Sequence, residues 1–437
     1  MKKTRSWFHI DSLLETTRNT FHASCNDAHT QCEISTVNCY MAGLAVFHLK
    51  YPSLLQFEQE RLSEKKIRAN LKTLYGIDRV PCDTQLRERL DVNNFTVPIR
   101  RVIGAHFRTL QRTKALETMK FLDDYYLISG DATGFFSSNE VKCNHCCTKV
   151  HNKGKATEYT SYHHQMLVGS IVHPDVKTVF PIGFESIQRG DGNQKNDCEQ
   201  SAGKRWLDHF RQDHPKLKVI FLGDGLYSKG PFIQKLIAKN IRYILVAKED
   251  DHKNLYDYFW AGEGVDVEEL TCTRDHVTNQ YRFMKKVPLN DTHPDLKVTV
   301  IYNSETNQKT GITVNRMWVT DLPVTIKNVV TIVKGARTRW KIENETFNAL
   351  KTKGYHFEHN YGHGNNGLAN VFAGLMLLAF LIDQILEAFN KAFQSVMKKC
   401  KSRIRCWEKC RAIFFTYIVS SWEAFYNAIL APPSFVI

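Results

Sequence analysis

The chain has 437 residues, 43% hydrophobic and 11% aromatic, enough for several packed cores and too apolar for a globally disordered protein. With 59 Lys and Arg against 45 Asp and Glu, its net charge is +14, which favours a polyanionic partner, nucleic acid ahead of an anionic membrane. Twelve cysteines, with no long apolar run after the basic Met1–Arg5 start, argue against a secreted disulfide framework and for reduced thiols in the cytoplasm.

Residues 1–120 read as helical and as a candidate DNA-binding region. An apolar run from Ser35 through Leu49 and a charged amphipathic run from Ser63 to Leu74 precede a break at Gly76 and Pro81. Asp83 or Thr84 is placed to cap the helix that follows. Helix, short break, helix suits a helix-turn-helix DNA reader or a plain helical hairpin. Arg100, Arg101, Arg108, Arg112 and Lys114 add phosphate-binding potential or a solvated face.

Residues 121–248 alternate between strand and helix patterns. Strands are expected at Tyr125–Asp131, Tyr159–Val168, Thr178–Phe184, Val219–Gly223 and Ile241–Ala247, with helices at Cys198–Phe210 and Pro231–Lys239. Such a succession predicts a mixed α/β sheet that brings distant side chains to one rim. Residues 249–325 open on a charge run and continue in alternating stretches such as Val298–Tyr302, which predicts a mainly β insertion. Trp260 and Trp318 are base-stacking candidates there, with core packing the more ordinary role.

Arg337–Lys351 contains no proline or glycine and predicts an amphipathic helix, with Trp340, Phe347 and Leu350 near helical spacing. Residues 326–365 close the α/β unit, and 366–437 read as an all-helical region. Its most apolar part, Leu368 to Leu386, is interrupted by Asn370 and Asp383 and is expected to be a buried helix, so no membrane partner is expected. Met397–Arg411 holds seven Lys or Arg and one acid, a phosphate-binding candidate or a solvated face.

Three carboxylates stand out. Asp131 and Asp224 each follow a short β-prone run and are flanked by glycine, as at the end of a buried strand where a ligand approaches. Glu343 lies four residues after Arg339, on the same helix face. Hard oxygen ligands of this kind suit magnesium or manganese, and two such ions can drive phosphodiester chemistry. An ordinary Asp-Gly turn and a surface ion pair are the bland alternatives.

In that order and setting, Asp131, Asp224 and Glu343 resemble the acidic triad of DDE transposases with an RNase H-like catalytic domain. The resemblance is closest to bacterial insertion-sequence transposases carrying a Tyr-Arg-Glu-Lys (YREK) helix. Trp318–Pro323 and Val330–Glu343 resemble the run leading into that helix. The likeness spans roughly residues 120 to 380. It implies an RNase H-like mixed sheet with a mainly β insertion, flanked by helical N- and C-terminal regions. It also implies two Mg2+ or Mn2+ ions on Asp131, Asp224 and Glu343, with Arg339 and Lys351 contacting DNA. Transposon ends and target DNA would be the partners, and a homodimer would join two ends in a synaptic complex in the bacterial cytoplasm, at the nucleoid when bound to DNA. Cleavage at the ends and strand transfer would be the reaction; a nuclease of the same fold without joining, or an inactive DNA-binding relative, are the alternatives.

Two positions depart from the pattern. Ala336 stands where the family has its tyrosine, and Leu350 stands seven after Glu343 where the family has its lysine, with Lys351 one later. On an ideal helix a residue eight positions on is turned by about 80°. Either the helix is locally adjusted, or the register shifts and Glu345 is the third carboxylate; the Arg339 spacing favours Glu343.

Cys143 and Cys146 form one Cys-x2-Cys unit, half of a tetrahedral zinc site. His151 or the distant Cys198 would complete it, and a structural zinc there would staple a loop away from the chemistry. Cys400, Cys406 and Cys410 fall at helical rather than metal-directed spacings.

Overall fold

A computed structural model describes residues 6–25, 34–91, 96–189, 198–262 and 267–431. The N-terminal helices are α1 (Ile10–Ser24), α2 (Thr36–His48), α3 (Leu54–Ser63), α4 (Lys65–Tyr75), α5 (Asp83–Leu90) and α6 (Thr96–Arg112). Ser35 and Ser53 cap α2 and α3, and Gly76, at φ 67°, ends α4 in the left-handed conformation that glycine adopts without penalty. The cap of α5 is Cys82, whose sulfur accepts from Gln85 N, rather than Asp83 or Thr84. In α6, Arg101, Arg108 and Arg112 are exposed while Arg100 pairs with Asp213 at 2.8 Å.

Next come β1 (Lys120–Phe121), β2 (Tyr125–Ser138), β3 (Cys147–His151), β4 (Tyr159–His173) and β5 (Val176–Ile187). They lead into α7 (Glu199–Asp213), β6 (Val219–Gly223), α8 (Gly230–Ala238) and β7 (Arg242–Val246). Every residue of β6 is buried, as expected of a central strand with parallel neighbours on both sides. The mainly β stretch opens on a helix, α9 (Lys253–Ala261), before β8 (Val267–Arg274), β9 (Val277–Pro288), β10 (Lys297–Asn307) and β11 (Thr313–Thr320). A two-residue turn at Asp275 and His276, both at positive φ, joins β8 to β9.

Among the described residues the strands form one 11-stranded mixed sheet, in the order β3-β4-β2-β6-β7-β11-β10-β9-β8, with β1 on β2 and β5 on β4. The β8–β11 meander is therefore an extension of the central sheet: β11 pairs antiparallel with β7. Trp318, on β11, is buried; Trp260 remains on the surface beside Tyr302 and the Arg282 guanidinium.

The segment after β11 runs through α10 (Val329–Arg337), a tight turn of helix at Thr338–Trp340, a π-helical turn at Ile342–Phe347 and α11 (Asn348–Thr352). The helix is thus not regular. Its inner face is Ile342, Thr346, Phe347, Ala349 and Leu350, whereas Trp340, expected inside, is 58% exposed.

The C-terminal helices are α12 (Leu368–Phe389), α13 (Lys391–Cys400), α14 (Arg403–Thr416) and α15 (Trp422–Leu430). Helix α12 has the length and apolarity of a membrane span, yet every residue from Leu368 to Leu386 is buried, against α2, α6 and β5 among others. Asp383 sits inside this core. The ammonium of Lys50 lies 2.7 Å from it and the Tyr355 hydroxyl donates to it at 2.6 Å. Lys50 also packs over the Tyr355 and Trp407 rings, so the buried charge pair ties the N-terminal helices to the C-terminal ones.

Candidate active site

The parallel register of β2 on β6 pairs Ile128 with Phe221 and Ser129 with Leu222. Continued two residues, it sets Asp131 level with Asp224. Asp224 lies just past the end of β6, as expected, with its Oδ1 accepting from Leu226 N at 2.9 Å in a local turn. Asp131 does not end its strand: β2 continues to Ser138, and the carboxylate projects from mid-strand. The neighbouring glycine serves packing rather than a turn, since a Cβ at Gly130 would come within 2.5 Å of the Phe221 ring.

The irregular helix crosses above this pair. Ser129 Oγ donates to Arg339 O at 2.9 Å, and the Ser170 and Thr346 hydroxyls meet at 3.2 Å. These bonds anchor the helix to β2 and β4. Arg339 Nη1 then lies 2.8 Å from Glu343 and 3.4 Å from Asp131, so one guanidinium bridges two of the three acids. Glu345 is directed elsewhere. Its charge acts on Lys341, whose ammonium is held by the carbonyls of His173, Pro174 and Val176.

The π-helical turn changes the directions in which the residues after Glu343 point. A π turn carries an extra residue relative to an α turn, which returns the eighth residue after Glu343 close to the direction a seventh would take. Leu350 is accordingly buried, and Lys351 reaches the groove lined by Gly134, Phe136, Lys149, His151 and Tyr159, where it pairs with Glu358 at 2.8 Å. Ala336 is buried.

A fourth carboxylate, Glu199, belongs to the same cluster and was missed in the sequence. It opens α7 and accepts from the buried Tyr227 hydroxyl at 2.6 Å. Its only sequence signal was its place in the first turn of a helix, which many surface acids share. Burial pushes the Asp131 carboxyl up to about 7, the Glu199 charge adds to this, and Arg339 opposes it. Glu199 is itself raised by burial, and by the charge of Asp224. The rim therefore holds more negative charge than its one arginine balances.

That surplus, on oxygen ligands alone, fits a hard divalent cation. The carboxylates are not drawn into a tight cage, however. Among the described residues, the group of potential ligands gathered within 4.8 Å of one another is Cys143, Cys146, His164 and His363. The partners expected for the cysteine pair are engaged elsewhere: His151 bonds Ser161 at 2.8 Å and stacks on Tyr159, and Cys198 is exposed at the start of α7 beside Ser201.

Fold and site together define a mixed α/β protein with an acidic cluster on the rim of its central sheet, crossed by a helix that carries an arginine and a glutamate. A comparison with protein-family models gives no match, and a comparison with curated proteins gives none. Among solved structures, the chain is similar to a piggyBac transposase in a synaptic complex with hairpin DNA, at a TM-score of 0.41 and 11% identity, over 98% of this chain and 81% of that one. A likeness that distant assigns neither residues nor chemistry to this chain.

Proposed function

We propose that the protein is a DNA transposase of the DDE type, with an RNase H-like core that cleaves at transposon ends and transfers the freed strand to target DNA. What supports the reading is the Arg339 guanidinium bridging Asp131 and Glu343, from two separated segments, with Asp224 just past the end of the strand that neighbours the strand of Asp131. Two Mg2+ or Mn2+ ions held by these carboxylates would supply activation of the attacking oxygen and stabilisation of the leaving one.

The chain's own residues do the rest. Arg339 holds Glu343 and Asp131 in place before substrate arrives, and its planar fork is suited to phosphate oxygens once they enter. Lys351, at the mouth of the adjoining groove, contacts the DNA backbone. In the first step water attacks the end phosphodiester, the P–O3′ bond breaks, and a 3′-hydroxyl is released. In the second that hydroxyl attacks a target phosphodiester, forming one P–O bond and breaking another. A homodimer would hold two ends together.

The test is cleavage of labelled DNA carrying the flanking terminal repeat, with magnesium. Glu343→Ala is expected to abolish cleavage while DNA binding persists, and Glu345→Ala to cleave like wild type. Cleavage surviving in Glu343→Ala would refute the site. Cleavage without joined product would make the protein a nuclease, and DNA binding without any cleavage by the folded wild type would make it an inactive relative.

A further inference from the structure

The Cys/His cluster lies outside the acidic site. Cys143 and Cys146 come from the connection between β2 and β3, His164 from β4, and His363 from the segment between α11 and α12. The two sulfurs stand 3.7 Å apart, and His164 Nε2 lies 3.3 Å from each. Around a tetrahedral zinc with bonds of about 2.3 Å to sulfur and 2.0 Å to nitrogen, the ligand separations are about 3.8 Å for S–S and about 3.5 Å for S–N. The side chains already stand near the corners of that tetrahedron.

The fourth corner is His363. Its Nδ1 is 3.3 Å from Asn360 Oδ1, and its Nε2 is buried with no hydrogen-bond partner among the described residues. A ring held through one nitrogen, with the other left buried and bare, has the arrangement of a metal-ligating histidine and its supporting hydrogen bond. The Phe135 ring stacks on His164 with centroids 5.6 Å apart, and the Phe136 ring meets His363 edge-on at 4.1 Å, so an apolar wall flanks the cluster.

We propose that Cys143, Cys146, His164 and His363 bind one structural zinc ion. Two thiolates and two imidazoles select a borderline-soft cation over the hard ions suited to the acidic rim. Four protein ligands leave no open position, so the ion is structural. It fastens the β2–β3 connection and β4 to the chain that leaves the Glu343 helix. Coordination displaces the two thiol protons to solvent. The proposal stands on this geometry alone and does not depend on the transposase reading.

Elemental analysis of the full-length protein, purified without chelator, is expected to give one zinc per chain. Cobalt replacement is expected to give thiolate-to-cobalt charge transfer and tetrahedral d–d absorption. Asn360→Ala, which removes the supporting bond together with an exposed bond from Gly362 N, should stay folded and bind zinc about 10–100-fold more weakly in a chelator competition. His151→Ala and Cys198→Ser should retain wild-type affinity. Folded wild type that takes up neither zinc nor cobalt, or a Cys143–Cys146 disulfide in its peptide map, would overturn the proposal. So would zinc affinity unchanged in both Asn360→Ala and His363→Ala.

Discussion

Proton competition at Asp131 should dominate the pH dependence of metal binding. Its carboxyl is raised from 3.8 to about 7 by burial and then by the Glu199 charge. A shift of roughly three units makes ionising the metal-free site cost about 4 kcal/mol more than ionising a free aspartate. A carboxyl raised on folding binds more protons folded than unfolded, so stability falls as pH rises from about 4 to about 7. A bound divalent cation offsets that loss. Magnesium affinity should therefore rise about tenfold per pH unit below about 7 and level off above it. Magnesium titrations between pH 5.5 and 8.5, followed by calorimetry with thermal melts alongside, read both effects. Magnesium should raise Tm more at pH 8 than at pH 5.5. In Glu199→Gln the break should move to lower pH, because the largest neighbouring charge is gone. A pH-independent affinity in wild type, or a break unmoved in Glu199→Gln, would refute the reasoning.

Three further outcomes are expected. Asp383→Ala strands the Lys50 ammonium, which is fully enclosed, and should cost about 3–5 kcal/mol in denaturant unfolding, whereas breaking an exposed pair such as Lys334–Asp175 should leave the unfolding midpoint almost unchanged. Burial lowers His106 from 6.5 to about 4, so the unfolded chain takes up its proton first. Stability from this group is complete above about 6.5 and is lost as pH falls towards 4, by up to about 3 kcal/mol, a slope that His106→Phe should remove from chemical denaturation curves. Gly169→Ala places a Cβ 2.1 Å from the buried Trp206 ring and should destabilise by about 1–3 kcal/mol, read as a lower Tm with a shifted tryptophan emission.

Local pattern carried much of the architecture. The apolar run of β6 and the long apolar helix α12 follow from short-range hydrophobic periodicity and length, which a chain expresses wherever it folds. Asp224, held at a strand end by its own turn, and the Arg339–Glu343 spacing on one helix face were legible for the same reason. What the sequence could not show were relations between distant segments. The chain reads Asp383 as an interruption of an apolar stretch, and only the folded core supplies Lys50, 333 residues away, as its partner. Glu199 looks like any first-turn acid until β2 and the Tyr227 hydroxyl close around it. His164 and His363 join Cys143 and Cys146 because β4 and the segment before α12 pass the same point, a coincidence in space with no spacing rule along the chain. The π-helical turn, too, was not legible in the local periodicity of Arg337–Lys351. Its geometry is set by the anchoring of that helix to β2 and β4, because packing against the sheet, rather than intrinsic propensity, decides how such a helix winds.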